Sequence, residues 1–248
     1  MHKYIIIGDV HGRTNWKDFI DPSNIVIFVG DYTDPYPDEN ISYKQMIEQF
    51  KLIIEYKKEH PDTVLLLGNH DISYLSGGIT NRYDFEHAAE IKDLIMKNLN
   101  LFQIAYNIEN KYVVSHAGIT LPWYRKYFKT EDNSNVDQIV DNINDLFFGN
   151  INAFTFGMNS CGGDSYGTTP THSPVWIRPQ SLMINNIFYN KDVTQIVGHT
   201  NLYTTIIGIK NENEVVLDGD ADLIFVDTLE YNRALLIDVD LNWTTVVC

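Results

Sequence analysis

Two cysteines in 248 residues, Cys161 and Cys248, are too few and too far apart for a disulfide framework or a thiolate zinc finger. A reducing compartment suits such a chain. No apolar run approaches the roughly 20 residues of a membrane-spanning helix. The N-terminal apolar stretch stops at Asp9, short of the apolar core and cleavage site of a secretory leader. The expectation is a cytoplasmic protein with no membrane partner. Positive charge is scarce as well: 18 Lys and Arg stand against 33 Asp and Glu, a formal net charge of −15, and no segment is rich in Lys or Arg. Nucleic-acid backbones are bound through clustered cations that displace counterions, so duplex nucleic acid is excluded as the expected partner.

What is present is an ordinary globular composition, 44% hydrophobic and 21% charged, which rules out disorder for most of the chain. The length suits one large domain, and no linker divides it. We take 1–248 as a single domain with a cap- or lid-like insertion around 122–174.

Three short apolar runs, Tyr4 to Ile7, Ile25 to Val29 and Val64 to Leu67, lack alternation and are each followed by Gly-Asp or Gly-Asn. Runs of this kind are strands buried on both faces, and intervening helices point to parallel β-α-β units. Ser42 with Gln45 predicts a capping box, and Met46, Ile47, Phe50, Ile53 and Ile54 recur at helical spacing until Pro61 ends the helix after His60. A second helix is predicted over Phe85 to Leu99. Residues 103–115 read as a hairpin turning at Glu109-Asn110 and delivering His116. Two helical pieces separated by Thr130 to Asn135 cover Pro122 to Phe148, and Asn150 to Pro174 is a long irregular loop. The strand-like runs from Thr194 to Val247 predict a second, mostly antiparallel sheet. The fold class is α/β, a sandwich of two sheets flanked by helices.

Polar residues recur directly after these strands: Asp9 and His11, Asp31, Asn69 and His70, His116, and His199. Side chains at the carboxyl ends of neighbouring parallel strands converge on one crevice, so these residues predict a shared site. Carboxylates, an amide oxygen and imidazoles form a mixed oxygen and nitrogen donor set suited to Mn, Fe, Zn, Ni or Co. A single Asp after a strand is more often a turn or cap, and a lone His is more often a satisfied surface or core residue. It is their joint occurrence that argues for a site.

Gly8-Asp9-Val10-His11-Gly12, Gly30-Asp31-Tyr32-Thr33-Asp34, Gly68-Asn69-His70-Asp71, Ser115-His116-Ala117-Gly118 and Gly198-His199-Thr200 resemble, in order, the motifs of the calcineurin-like metallophosphoesterases. Within them the chain is most similar to the phosphoprotein phosphatase branch. The resemblance implies an α-β-β-α fold and two divalent ions, with manganese favoured. Asp9 and His11 would hold the first ion, Asp31 would bridge, and Asn69, His116 and His199 would hold the second. It implies direct attack by a hydroxide bridging the ions, with His70 as general acid held by Asp34. Related phosphatases carry an Arg where Pro35 stands. Trp176-Ile177-Arg178-Pro179 resembles a tryptophan-arginine stretch of bacterial and phage members, which makes Arg178 the candidate phosphate ligand. Arg13 and Arg82 are held in reserve, and Asn69 is counted as a further phosphate contact. The expected substrate is a phosphorylated small molecule, phosphopeptide or nucleotide. A phosphomonoesterase or protein Ser/Thr/Tyr phosphatase is weighed against a symmetrical dinucleoside polyphosphate hydrolase and, in another class, a non-catalytic metal-binding scaffold.

Overall fold

The three apolar runs form β1 (Tyr4–Ile7), β2 (Ile25–Phe28) and, after α1 (Tyr43–Glu59), β3 (Val64–Leu66). They pair in parallel, with Ile6 opposite Ile27 and Phe28 opposite Leu65. This computed structural model describes residues 3–129, 135–154, 156, 164–189, 191–202 and 204–248. The predicted interhelical separator but for Asn135, part of the 150–174 loop with Cys161, and Tyr203 lie outside the described residues. At the start of α1 the capping box closes: Ser42 N–H donates to Gln45 Oε1 at 3.0 Å, and Gln45 N–H to Ser42 Oγ at 3.3 Å. All five predicted apolar residues of α1 are buried.

Two helices follow, α2 (Asn69–Ser76) and α3 (Ala88–Lys97). The second starts later than the predicted Phe85, because Asp84 accepts the His87 N–H at 3.0 Å and makes a turn there, leaving His87 as the N-cap. Next, β4 (Phe102–Gln103) adds to β3, and the chain crosses at Ile104 into a second sheet as β5 (Ala105–Ile108). Asn144, from a later helix, supports this crossing. Its Oδ1 accepts Ile104 N–H at 2.9 Å and Ala105 N–H at 3.1 Å, which satisfies backbone donors at the point where sheet pairing changes. The hairpin to β6 (Tyr112–Ser115) turns through Glu109 and Asn110 at φ 53° and 56°. Two successive left-handed residues match the twist of the flanking strands.

The chain continues through α4 (Leu121–Tyr127), α5 (Val136–Gly149), α6 (Pro179–Asn185), β7 (Thr194–Val197), β8 (Ile207–Lys210), β9 (Glu214–Val216), β10 (Leu223–Phe225), β11 (Arg233–Ile237) and β12 (Trp243–Val247). One sheet has the order β12-β11-β1-β2-β3-β4 and the other β5-β6-β7-β10-β8-β9. The sequence pattern predicts every strand after Thr194 in the second sheet. Instead β11 pairs antiparallel with β1, Tyr4 opposite Ile237, and β12 extends it. The free edge of β1 decides this, because Leu235, Ile237 and Trp243 then continue the apolar face that β1 turns toward the second sheet. Within the second sheet β6, β7 and β10 are parallel and the outer pairings antiparallel.

Alternate residues of β1 serve two cores. Tyr4 and Ile6 join Val114, Ile196 and Ile224 between the sheets, while Ile5 and Ile7 pack with Phe50 and Ile53 of α1. That double burial is why the run is apolar throughout. On the far side α6 places Leu182 against Ile207 and Phe225. The layers are helix, sheet, sheet, helix.

Candidate metal centre

Polar side chains sit where apolar strands end. Asp9 lies two residues beyond β1, Asp31 three beyond β2, His116 directly after β6 and His199 two after β7. Asn69 opens α2 itself. His11, Asp31 and His199 adopt φ of 46°, 52° and 63°, a left-handed backbone that costs a non-glycine residue about 1 kcal/mol. Paired backbone groups hold it, with His11 N–H donating to Asp31 O at 2.7 Å. Gly68 admits no side chain, because a Cβ there would strike Asp31 Oδ1 and lie 2.7 Å from His116 Cε1.

The structure brings all the proposed ligands together. Asp31 Oδ2 is 3.7 Å from His11 Nε2 and 3.5 Å from His116 Nε2. Asn69 Oδ1 is 3.0 Å from His116 Nε2 and 2.9 Å from His199 Nδ1. The His199 backbone N–H donates to Asp9 Oδ1 at 3.0 Å. Two buried triads with ligand atoms within 4.8 Å of one another emerge, His11-Asp31-His70 and Asp9-Asp31-His116, and Asp31 belongs to both.

Tautomers decide what these atoms can do. His11 Nδ1–H donates to Thr33 O at 2.7 Å and His116 Nδ1–H to Val29 O at 3.0 Å, so each neutral ring turns its Nε2 lone pair inward. Burial lowers the pKa of His11, His116 and His199, and for His11 and His199 it falls well below 6.5. Neutral His116 Nε2 therefore faces Asn69 Oδ1 as acceptor against acceptor, the arrangement of two atoms sharing a cation. His199 Nε2 is buried without a hydrogen-bond partner. Burial, with the Asp9 charge second, pushes the Asp31 carboxyl well above 3.8. Lone pairs without donors and crowded carboxylates fit a divalent cation site, and the donor set is oxygen and nitrogen.

At the rim, His70 Nδ1–H donates to Asp34 Oδ2 at 2.7 Å, leaving Nε2 as the atom that can give or take a proton. Burial lowers the His70 pKa while Asp34 opposes it. Asp34 is itself held by Tyr74 OH and by Thr80 Oγ1 at 3.2 Å. The His70 backbone N–H donates to Asp31 Oδ1 at 2.9 Å, which ties the pair to the centre.

The three arginines occupy different situations. Arg13 is buried, with Nε on Glu39 Oε1 at 2.6 Å, Nη2 3.5 Å from Glu230 Oε2 and Nη1 on Asp9 O at 2.9 Å. Arg178 donates to Tyr166 O at 2.8 Å and Thr200 Oγ1 at 3.0 Å beside His199. Arg82 places Nη2 3.4 Å from both His11 Nε2 and His70 Nε2.

Sequence reasoning passed over two buried carboxylates. Asp71 accepts backbone N–H groups from Gly68 at 2.9 Å, Asp31 at 2.8 Å and Tyr32 at 3.0 Å, fastening the ends of β2 and β3 together. Burial raises its pKa to about 7. Asp227, two residues beyond β10, is pushed well above 3.8 by burial and by Asp9. The signal for Asp227 was available, since it ends the Leu223 to Val226 run as Asp9 ends its own.

Comparison with known proteins bears on the family and the fold. The family model described as calcineurin-like phosphoesterase matches residues 2–226. Among solved structures, a protein serine/threonine phosphatase from Saccharomyces cerevisiae, described as similar to human phosphatase PP5, matches with a TM-score of 0.57 at 16% identity. The match covers 99% of this chain and 79% of that one, and shows a shared fold. A metallophosphoesterase from Sphaerobacter thermophilus matches at 12% identity with a TM-score of 0.49, over 99% of this chain and 88% of that one. No curated protein matches. No helix among the described residues is long and apolar enough to cross a membrane.

Proposed function

Because this chain belongs to the calcineurin-like phosphoesterases, metal-dependent hydrolases, we propose that it cleaves phosphomonoesters of small molecules or of phosphorylated peptide side chains. The observation that carries the reading is Asp31, one carboxylate shared by the buried triads His11-Asp31-His70 and Asp9-Asp31-His116, with His70 tied to Asp34 through Nδ1. Two ions, manganese favoured, are assigned to Asp9, His11 and Asp31 on one side and to Asp31, Asn69, His116 and His199 on the other. When bound, such a pair supplies a hydroxide nucleophile near neutral pH and offsets charge on phosphoryl oxygens.

The chain's own groups do the rest. Asp34 accepts the His70 Nδ1–H and stabilises the imidazolium, so that Nε2, once it has taken up a proton from solvent, can pass it to a departing oxygen. Direct attack then needs no covalent enzyme intermediate. Arg178 and the Asn69 amide are the groups assigned to substrate phosphate, and the guanidinium plane suits two oxygens at once. Tyr166 borders that side, for its O accepts from Arg178 Nε at 2.8 Å.

The test is a substrate panel on metal-depleted protein reloaded with manganese: an aryl phosphate, phosphoserine and phosphotyrosine peptides, and diadenosine tetraphosphate. The expected result is hydrolysis of monoesters. Preferential cleavage of the tetraphosphate would overturn the substrate assignment, and stoichiometric metal binding without any hydrolysis would identify a scaffold.

A further inference from the structure

Arg82 lies in the connection between α2 and α3, an irregular segment with no motif of its own. Three contacts nevertheless immobilise that connection. Thr80 Oγ1 donates to Asp34 Oδ2 at 3.2 Å, Tyr83 stacks on Tyr74 with ring centroids 4.5 Å apart, and Asp84 N–H donates to Tyr74 OH at 2.9 Å. Arg82 sits at φ 67°. A left-handed backbone at an arginine is strain that persists only where surroundings impose it, and here it aims the side chain inward.

The guanidinium is fixed on two sides, and its Nη2 end turns into the site against His11 Nε2 and His70 Nε2. Its Nε donates to Asp34 O at 2.9 Å, and its Cζ lies 3.7 Å from the Tyr36 ring centroid, a stacked cation–π contact. Tyr36 meets His11 edge-on at 5.1 Å. Among the described residues Arg82 has no carboxylate within ion-pair distance, unlike Arg13, whose charge is offset by Glu39 and Glu230. Asp227 feels its field without pairing with it. Arg82 is half-buried, and its Nη2 stands equally far, 3.4 Å, from a cation-ligand nitrogen of His11 and from the proton-donating nitrogen of His70. An unneutralised planar cation, held rigid between ligand and acid, is built for an anion that occupies that gap.

We propose that Arg82 is a substrate-binding residue of this centre, its Nη groups taking phosphoryl oxygens between His11 and His70 while the Tyr36 ring fixes its plane. The proposal rests on the phosphoester-hydrolase reading. It adds a second cation to Arg178, and it makes Asp34 a shared anchor that orients the acid through its carboxylate and the clamp through its carbonyl.

The experiment compares the parent, Arg82→Ala, Arg82→Lys and Tyr36→Leu, all manganese-loaded, by calorimetric affinity for inorganic phosphate and by kcat and KM for an aryl phosphate. Arg82→Ala is expected to weaken phosphate about 10- to 100-fold with metal content unchanged. Lysine should restore part of that, since it keeps the charge and loses the fork. Tyr36→Leu should weaken phosphate about 3- to 10-fold. Added guanidinium chloride should partly rescue Arg82→Ala, which a purely structural role would not allow. Phosphate affinity of Arg82→Ala within twofold of the parent overturns the proposal, as does loss of metal in that variant. Because phosphate binding is read without turnover, a parent that hydrolyses no ester condemns the functional reading, while the calorimetry still decides whether Arg82 holds phosphate.

Discussion

The two ends of the second sheet treat polar atoms in opposite ways. At the amino ends of β6, β7 and β10 lies a cleft of about 300 Å3 lined by Lys111, Lys210, Asp220, Asp222 and Trp243 among others. Its polar groups are satisfied locally: Lys111 Nζ donates to Leu241 O at 2.8 Å, Asp222 accepts Asn211 N–H at 2.8 Å, and Lys210 lies 3.8 Å from Asp220. At the carboxyl ends His116 Nε2 faces another acceptor and His199 Nε2 has no partner, although both residues lie in the buried centre. A depression whose Lys111, Lys210 and Asp222 already have partners has less to gain from a ligand. Buried atoms that cannot satisfy one another suit a cation, so the comparison favours the carboxyl end over this cleft.

The most damaging change should be Asp31→Asn, because it weakens both triads at once. The expected loss in kcat/KM for an aryl phosphate is about a thousandfold, the roughly 4 kcal/mol that divalent charge stabilisation commonly supplies. Bound metal, measured by mass spectrometry after gel filtration, should fall with it. An Asp31→Asn protein that keeps two ions and a tenth of parental activity would remove Asp31 from its bridging assignment.

Next come His70→Asn, which removes the proton donor, and Asp34→Asn, which weakens its hold on His70 and also on Tyr74 and Thr80. Each should lower kcat about a hundredfold on an alkyl phosphate, within the usual range for general acid catalysis. The deficit should shrink on an aryl phosphate whose leaving group needs no proton. Equal deficits on the two substrates would show that the pair acts elsewhere than on the departing oxygen.

The strand ends were legible because a strand buried on both faces has a continuous apolar signature, and a carboxylate or imidazole directly after it has no packing reason to be there. The ordering of strands was less legible. The apolar run Ala234 to Ile237 marks a strand, not its neighbour, so nothing local told β11 to pair with β1. Helix α2 was hidden for a different reason: Asn69, His70, Asp71 and Ser73 are buried polar residues, and they replace the apolar periodicity that announces a helix. The meeting of Arg82 with Tyr36 is a tertiary event between two loops, and neither segment encodes it alone.

A smaller effect should separate the two ends by stability. Asp227 carries a carboxyl whose folded pKa is raised by burial and by Asp9, so its ionised form opposes folding above that pKa. The penalty fades as pH falls toward the unfolded value near 3.8. Metal-free Asp227→Asn should therefore melt above the parent at pH 8, by about 2–4 °C for roughly 1 kcal/mol in a chain of this size. The advantage should vanish near pH 4. A gain that is constant with pH would mean that the carboxylate charge is not its source.

The least disruptive change should be Lys111→Ala in the opposite cleft, and its small size is the point. Lys111 gives one hydrogen bond to Leu241 O and lies 5.4 Å from the Tyr112 ring centroid, while Tyr112 OH donates to the same carbonyl at 2.7 Å. Removing the lysine leaves that acceptor satisfied and strands no buried charge, so the expected cost is under about 1 kcal/mol, with Tm lowered by less than about 4 °C. The kcat and KM for aryl phosphate should stay within twofold of the parent, since the cleft lies at the far ends of strands whose carboxyl termini carry the ligands. A tenfold change in either constant would break the division of labour between the two ends and make the lysine-lined cleft part of substrate handling.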